Sequence, residues 1–211
     1  YKVDLWLREK AIHKFKELGY YEKVKLFYNI DFRIIDMPEY SPGNTVKILN
    51  RYKLTPGSLC FEIPEKQGFQ QNIESKNLLS LYRQQQYKIA IDDFGAGFSN
   101  LYLFYQSEPD YIKIDRFFIT EIPFDSKKKL FVSNIINMAH ILGTLVIAEG
   151  IETKNEFYVC KELGCDLVQG FFIQEPSQDL NRLKLKYDCV RFTKPKRDYD
   201  SDQKLVYEQV E

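Results

Sequence analysis

The chain has 211 residues, divides its charge evenly between 30 basic and 30 acidic side chains, and is 44% hydrophobic and 15% aromatic. That composition excludes a disordered segment and offers no electrostatic basis for binding a DNA or RNA polymer. The length suits one domain with a sizeable core. No run reaches the roughly 18 apolar residues of a membrane span, and the opening YKVDLWLREK lacks the pattern of a secretory leader, so a cytoplasmic location is expected, with any membrane anchor carried outside this chain.

In chain order, short apolar β-rich runs alternate with longer amphipathic stretches, the signature of repeated βα units around a parallel sheet. The first residues place Leu5, Ile12, Phe15 and Leu18 on one face and predict a helix that stops at Gly19. A strand, KVKLFYN, then ends at Asn29, and a second, SLCFE, ends at Glu62. A helix is expected over about 77–86, followed by the strand YKIAID, which ends at Asp92. In the loop DDFGAGFSN, Gly95 and Gly97 allow a tight backbone and Ser99 or Asn100 is placed to cap the next helix. The strand DYIK ends at Lys113, and a helix over 127–142 closes at Gly143, its Lys127-Lys128-Lys129 run being read as a solvated helix start. The strand TLVIAE ends at Glu149, a helix over 154–163 closes at Gly164, and a last strand, DLVQ, ends at Gln169. Beyond Pro176 the pattern weakens, and KPKRDYDSD reads as a linker, which divides the chain into a barrel domain over 1–180 and an extension over 181–211.

Cys60, Cys160, Cys165 and Cys189 show no zinc-type pairing and are expected as reduced thiols, while His13 and His140 lack a partner at ligand spacing and are expected to be structural. The informative feature is what finishes each apolar strand: Asn29, Glu62, Asp92 with Asp93, Lys113, Glu149 and Gln169. In a parallel barrel, the C-terminal strand ends converge on the face where barrel enzymes place their chemistry. One Asp or Glu after a strand is ordinarily a helix cap or a loop charge, but capping asks for neither a lysine nor a glutamine at the neighbouring positions. Carboxylates gathered so closely repel one another unless a cation neutralises them, and oxygen ligands without Cys or His suit Mg²⁺ or Mn²⁺. A one- or two-metal hydrolytic centre is therefore expected. The DFG triplet does not indicate a protein kinase, because the glycine-rich ATP loop and the HRD segment are absent from the sequence.

The pieces YNID around Asn29, FEIPE (61–65), IDDFGAGFSN (91–100), YIKID (111–115), AEGIET (148–153) and QGFF (169–172) resemble, in order and spacing, the EAL family of cyclic di-GMP phosphodiesterase domains across roughly residues 1 to 180. The resemblance implies a TIM-like (β/α) barrel with one antiparallel strand, and hydrolysis of cyclic di-GMP to the linear dinucleotide with two Mg²⁺ or Mn²⁺ ions. It implies Asn29, Glu62, Asp92, Asp93 and Glu149 as metal ligands, and Lys113, Glu149 and Asp93 as the catalytic set, with Lys113 orienting the attacking water. Gln169 is implied as a substrate contact, and Glu65 as the residue that holds the loop from Asp93 to Ser99. The family's Glu-Ala-Leu segment and an arginine that contacts substrate are expected upstream of the first helix, so the barrel's first strands are expected to be missing from this chain. Pro64 stands where the family has a hydroxyl residue. A catalytically silent receptor for cyclic di-GMP is the alternative. The resemblance also implies homodimers through the region after the DDFGAG loop, where Phe94, Phe98, Leu101, Tyr102 and Phe104 offer either an apolar surface or ordinary core packing.

Overall fold

The computed structural model describes residues 1–31, 33, 37, 39–64, 73–97, 100–185 and 187. Helix α1 (Lys2–Lys16) precedes six strands: β1 (Leu26–Asn29), β2 (Leu59–Pro64), β3 (Lys88–Phe94), β4 (Tyr111–Ile114), β5 (Leu145–Ala148) and β6 (Leu167–Val168). They form one sheet in sequential order, and every neighbouring pair is parallel. Parallel neighbours need a crossover, usually helical. Here α2 (Asn44–Arg51), α3 (Ile73–Gln84) and α4 (Asn100–Ser107) serve the first three connections, α5 (Arg116–Ile119) with α6 (Ser126–Ile141) the fourth, and α7 (Lys154–Leu163) the fifth. This is the βα progression of a (β/α) barrel, and among the described residues β1 and β6 are the edges of the sheet.

Burial follows position in the sheet. All of β4 and the first five residues of β2 are buried, whereas β1 is half-buried up to an exposed Asn29, and β6 is exposed and half-buried. Strands covered on both faces are continuously apolar rather than alternating, which is why they stand out in the sequence. Most of the core packs the outer face of the sheet against the helices, as with Phe61, Ile89, Ile91 and Ile112. A second, smaller cluster of Cys60, Ala90, Tyr111 and Ile147, with Phe27 against it, belongs to the other face.

Helix bounds depart from expectation in two places, one being α3, which runs Ile73–Gln84 rather than over about 77–86. α1 stops at Lys16 with Glu17 as its cap, because its last turn tightens: Glu17 N–H reaches both His13 and Lys14 carbonyls, and Leu18 N–H bonds Phe15, before Gly19 is reached. Gly143, at φ +76°, follows α6 by one residue, and Gly164, at φ +100°, caps α7. At Gly164 the bonds Cys165 N–H to Cys160 O and Gly164 N–H to Lys161 O form a Schellman closure, whose usual apolar contact falls to two thiols. Cys60, Cys160 and Cys165 are free thiols, while Cys189 lies outside the described residues. Among the described residues, no helix is long and apolar enough to cross a membrane.

Candidate active site

Side chains two residues apart on a strand share a face. Stepping forward by two from the inner cluster Cys60, Ala90, Tyr111 and Ile147 gives Glu62, Asp92, Lys113 and Glu149. The inner face thus carries an apolar layer and, directly above it toward the C-terminal strand ends, a charged one. Phe27 and Asn29 make the same step on β1, and Leu167 and Gln169 on β6.

Lys113 is the centre of the charged layer. Its ammonium lies 2.6 Å from Glu62 Oε1, 2.7 Å from Asp92 Oδ1 and 2.6 Å from Glu149 Oε1, and the side chain is only 6% exposed. Burial disfavours its charge, but the carboxylates of Glu62 and Glu149 and the hydrogen bonds to Asp92 and Glu149 outweigh that and raise its pKa above the ordinary lysine value. Burial likewise pushes up Glu62, with Lys113 pulling down and Asp92 pushing up. Glu149 rises to about 7, first from burial, with Lys113 opposing and Asp92 and Asp93 adding repulsion.

Asp93 joins this group because β3 breaks its alternation. In a regular strand, Asp92 and Asp93 would point to opposite faces. Asp93 instead has φ +54°, and the β3–β4 register shifts so that Ile91 to Phe94 on one strand spans only Ile112 to Ile114 on the other. Such a bulge re-aims a side chain beside a functional site. One carboxylate oxygen from each of Asp92, Asp93 and Glu149 lies within 4.8 Å of the other two. The flanking loops are held closely. A Cβ on Gly95 would lie 2.4 Å from the Phe118 ring, and one on Gly170 would lie 2.1 Å from Ile151 O.

The remaining sequence-predicted residues stand further out. Asn29 pairs in register with Glu62 at the sheet edge, with its side chain exposed. Gln169 is exposed just beyond β6; its N–H bonds Ala148 O, and its carbonyl accepts from Ile151. Glu65 and Ser99 lie outside the described residues. Two supporting residues escaped the sequence reading. Arg116 pairs with Glu152 at 2.5 Å, and nothing in the sequence marks it. Glu156 accepts from the N–H groups of Glu121, Glu152 and Thr153, and the Thr-x-x-Glu spacing of a capping box could have revealed it.

Among the described residues, four carboxylates gather around one ammonium, so they bring an excess of negative charge to a half-buried place, and the donors are oxygens apart from the lysine. That donor set fits a hard divalent cation.

A family model described as the EAL domain matches residues 2–176. Among relatives, the chain is 32% identical over 139 residues to an Escherichia coli protein named a probable cyclic di-GMP phosphodiesterase, PdeA, covering 64% of this chain and 18% of that protein. It is 30% identical over 133 residues to the cyclic di-GMP phosphodiesterase RocR of Pseudomonas aeruginosa, covering 63% and 34% respectively. Among solved structures, Klebsiella pneumoniae BlrP1 in a manganese and cyclic di-GMP complex superposes with a TM-score of 0.77 at 29% identity, over 83% of this chain and 44% of that one. The chain therefore spans about a third or less of these relatives' length, and under half of the solved chain.

Proposed function

The chain belongs to the EAL domain family, and on that premise we propose that the protein hydrolyses cyclic di-GMP to its linear dinucleotide with two divalent cations, Mg²⁺ or Mn²⁺. The observation that carries this reading is the charged layer in which Glu62, Asp92 and Glu149 surround Lys113 while the β3 bulge brings Asp93 to the same side. Asn29, Glu62, Asp92, Asp93 and Glu149 are the residues that would hold the cations. Bound there, divalent cations would supply activation of a water and charge neutralisation at the leaving oxygen.

The protein's own groups have distinct tasks in this reading. Lys113 supplies a fixed positive charge beside the place where negative charge develops on the phosphate, and it orients the attacking water. Glu149, whose carboxylate lies beside those of Asp92 and Asp93, would hold a cation or position that water. Gln169, at the open rim, contacts the dinucleotide, and Glu65 steadies the loop from Asp93 to Ser99. The protein acts in the cytoplasm.

The reading includes a homodimer. Leu101, Tyr102, Phe131 and Met138 line a groove of about 440 Å³ between α4 and α6, and it continues through Phe131 into a second of about 520 Å³ walled by Phe117, Phe118 and Leu130. A continuous apolar strip of this kind marks an interaction surface.

The deciding experiment is cyclic di-GMP turnover by the protein and by Glu149→Ala, with Mn²⁺ or Mg²⁺ and a chelator control. Conversion to the linear dinucleotide that needs the metal, and that falls at least about 100-fold in the variant, is expected for loss of a cation ligand. Binding of the intact dinucleotide without conversion would make the protein a receptor instead.

A further inference from the structure

Glu149 follows the end of β5, on the loop Glu149-Gly150-Ile151-Glu152 that leads to α7. Lys113 reaches this loop from β4 through the Glu149 carboxylate. Three residues further along the same chain segment, Arg116 reaches it a second time. A Cβ built on Gly150 would lie 2.4 Å from Arg116 Cγ and 2.8 Å from its Cβ and Cδ, so the arginine stem lies across the glycine backbone. The guanidinium continues past it to Glu152 Oε1 at 2.5 Å.

We propose that Arg116 is a positioning residue for Glu149: its stem lies on Gly150, its guanidinium grips Glu152, and together they fix the backbone that carries the acid. The inference rests on the reading of Glu149 as a metal ligand. Three features support it. Gly150 has φ +69°, a backbone state that few residues other than glycine adopt readily, so the turn after Glu149 is sharp and has no side chain of its own to hold it. The loop is clamped from below as well, since Ile151 exchanges backbone hydrogen bonds with Gln169 and Phe172, and its peptide sits against Gly170 with no room for a Cβ. Arg116 itself is held at the start of α5, where Asp115 caps the helix by accepting from Phe117 N–H.

An exposed Arg–Glu pair ordinarily contributes little to stability. With the arginine side chain 58% exposed and Glu152 41% exposed, their conjunction with a glycine face that the arginine stem covers beside an acidic site is better explained by geometry than by stability. A loop whose acid must meet Asp92 and Asp93 within a few ångströms gains from having its backbone gripped on both sides.

The test compares the protein with Arg116→Ala, Arg116→Lys and Glu152→Gln in two measurements. The first is hydrogen exchange of the metal-free protein. The amides of 150–152 are expected to exchange about tenfold faster in Arg116→Ala, less so in Glu152→Gln, and near the original rate in Arg116→Lys, which keeps both stem and charge. The second is Mn²⁺ binding by calorimetry without nucleotide, where Arg116→Ala is expected to weaken affinity by about 10- to 100-fold at an unchanged melting temperature. Exchange at the original rate in both Arg116→Ala and Glu152→Gln overturns the proposal, as does a weakened site that Arg116→Lys fails to restore. Protein that takes up no Mn²⁺ overturns the reading of the acids as metal ligands. The exchange comparison is made without metal and decides Arg116 on its own.

Discussion

A buried charge keeps its place only while its partners stay with it, and Lys113 has three partners within 2.7 Å. Replacing it by methionine leaves Glu62, Asp92 and Glu149 facing one another with no counter-charge. Breaking a buried ion pair costs about 3–5 kcal/mol, so Lys113→Met is expected to lower the melting temperature of the metal-free protein by roughly 6–20 °C for a domain of this size. A cation bound among the same oxygens replaces the missing charge, so added Mn²⁺ should raise the melting temperature of the variant by more than that of the original protein. Calorimetric scans with and without Mn²⁺ check both statements, and equal shifts would argue that the acids do not share a cation. Lys113 was legible in the sequence because a lysine that finishes a buried apolar strand has few other reasons to be there. Arg116 was not, since its role depends on a glycine 34 positions later in the chain that only the fold brings beneath its stem.

Strands β2 to β5 were readable because burial makes them apolar runs interrupted chiefly near their C-terminal ends by charged residues, and their order followed from the intervening helices. The β3 bulge was beyond that reading: alternation would send Asp92 and Asp93 to opposite faces, and only the positive φ at Asp93 and the shifted register bring both inward. α2 was also missed, being eight residues long with no side-chain cap. α7, by contrast, opens with a capping box, and its Glu156 extends that device across elements by accepting from Glu121 N–H in the segment between α5 and α6. Burial works against the charged form of Glu156, yet the N–H groups of Glu121, Glu152 and Thr153 outweigh it and hold its carboxyl below the ordinary range. A carboxylate with a depressed pKa contributes stability that is fully present above the ordinary value of about 4.3 and is lost as pH falls through the lower folded-state value. Glu156→Gln keeps one acceptor oxygen but turns an amide N–H toward a backbone donor, which should cost about 1–3 kcal/mol at pH 7. Urea unfolding should show that gap in full at neutral pH and shrinking below about pH 4; a gap that is the same at pH 3 and pH 7 would assign the loss to packing rather than to the ionised carboxylate.

Across the whole molecule, the repeated βα pattern predicted the barrel type, but not which apolar side chains face outward. The region after the DDFGAG loop was read as either an apolar surface or core, and it is divided: Phe94 and Phe104 are core at 2% and 4% exposure, Leu101 is 64% exposed, Tyr102 is half-buried, and Phe98 lies outside the described residues. The ambiguity has a physical origin. α4 is eight residues long and apolar around most of its circumference, so periodicity cannot pick its inward face. The fold picks it instead, turning Leu103 and Phe104 onto the sheet and leaving Leu101 and Tyr105 outside. The outer strip then runs over Phe131 to Phe117 and Leu130, each of the last two 67% exposed. If two copies meet on this strip, a charge placed in it must be desolvated on association, whereas in the free chain the same charge stays in water. Leu101→Glu is therefore expected to halve the mass measured by light scattering while leaving the unfolding free energy of the monomer within about 0.5 kcal/mol of the original, as exposed substitutions do. Phe104→Glu puts the same charge in the core and should unfold the domain, which separates loss of an interface from loss of the fold. A Leu101→Glu protein with undiminished mass would move any dimer contact away from α4.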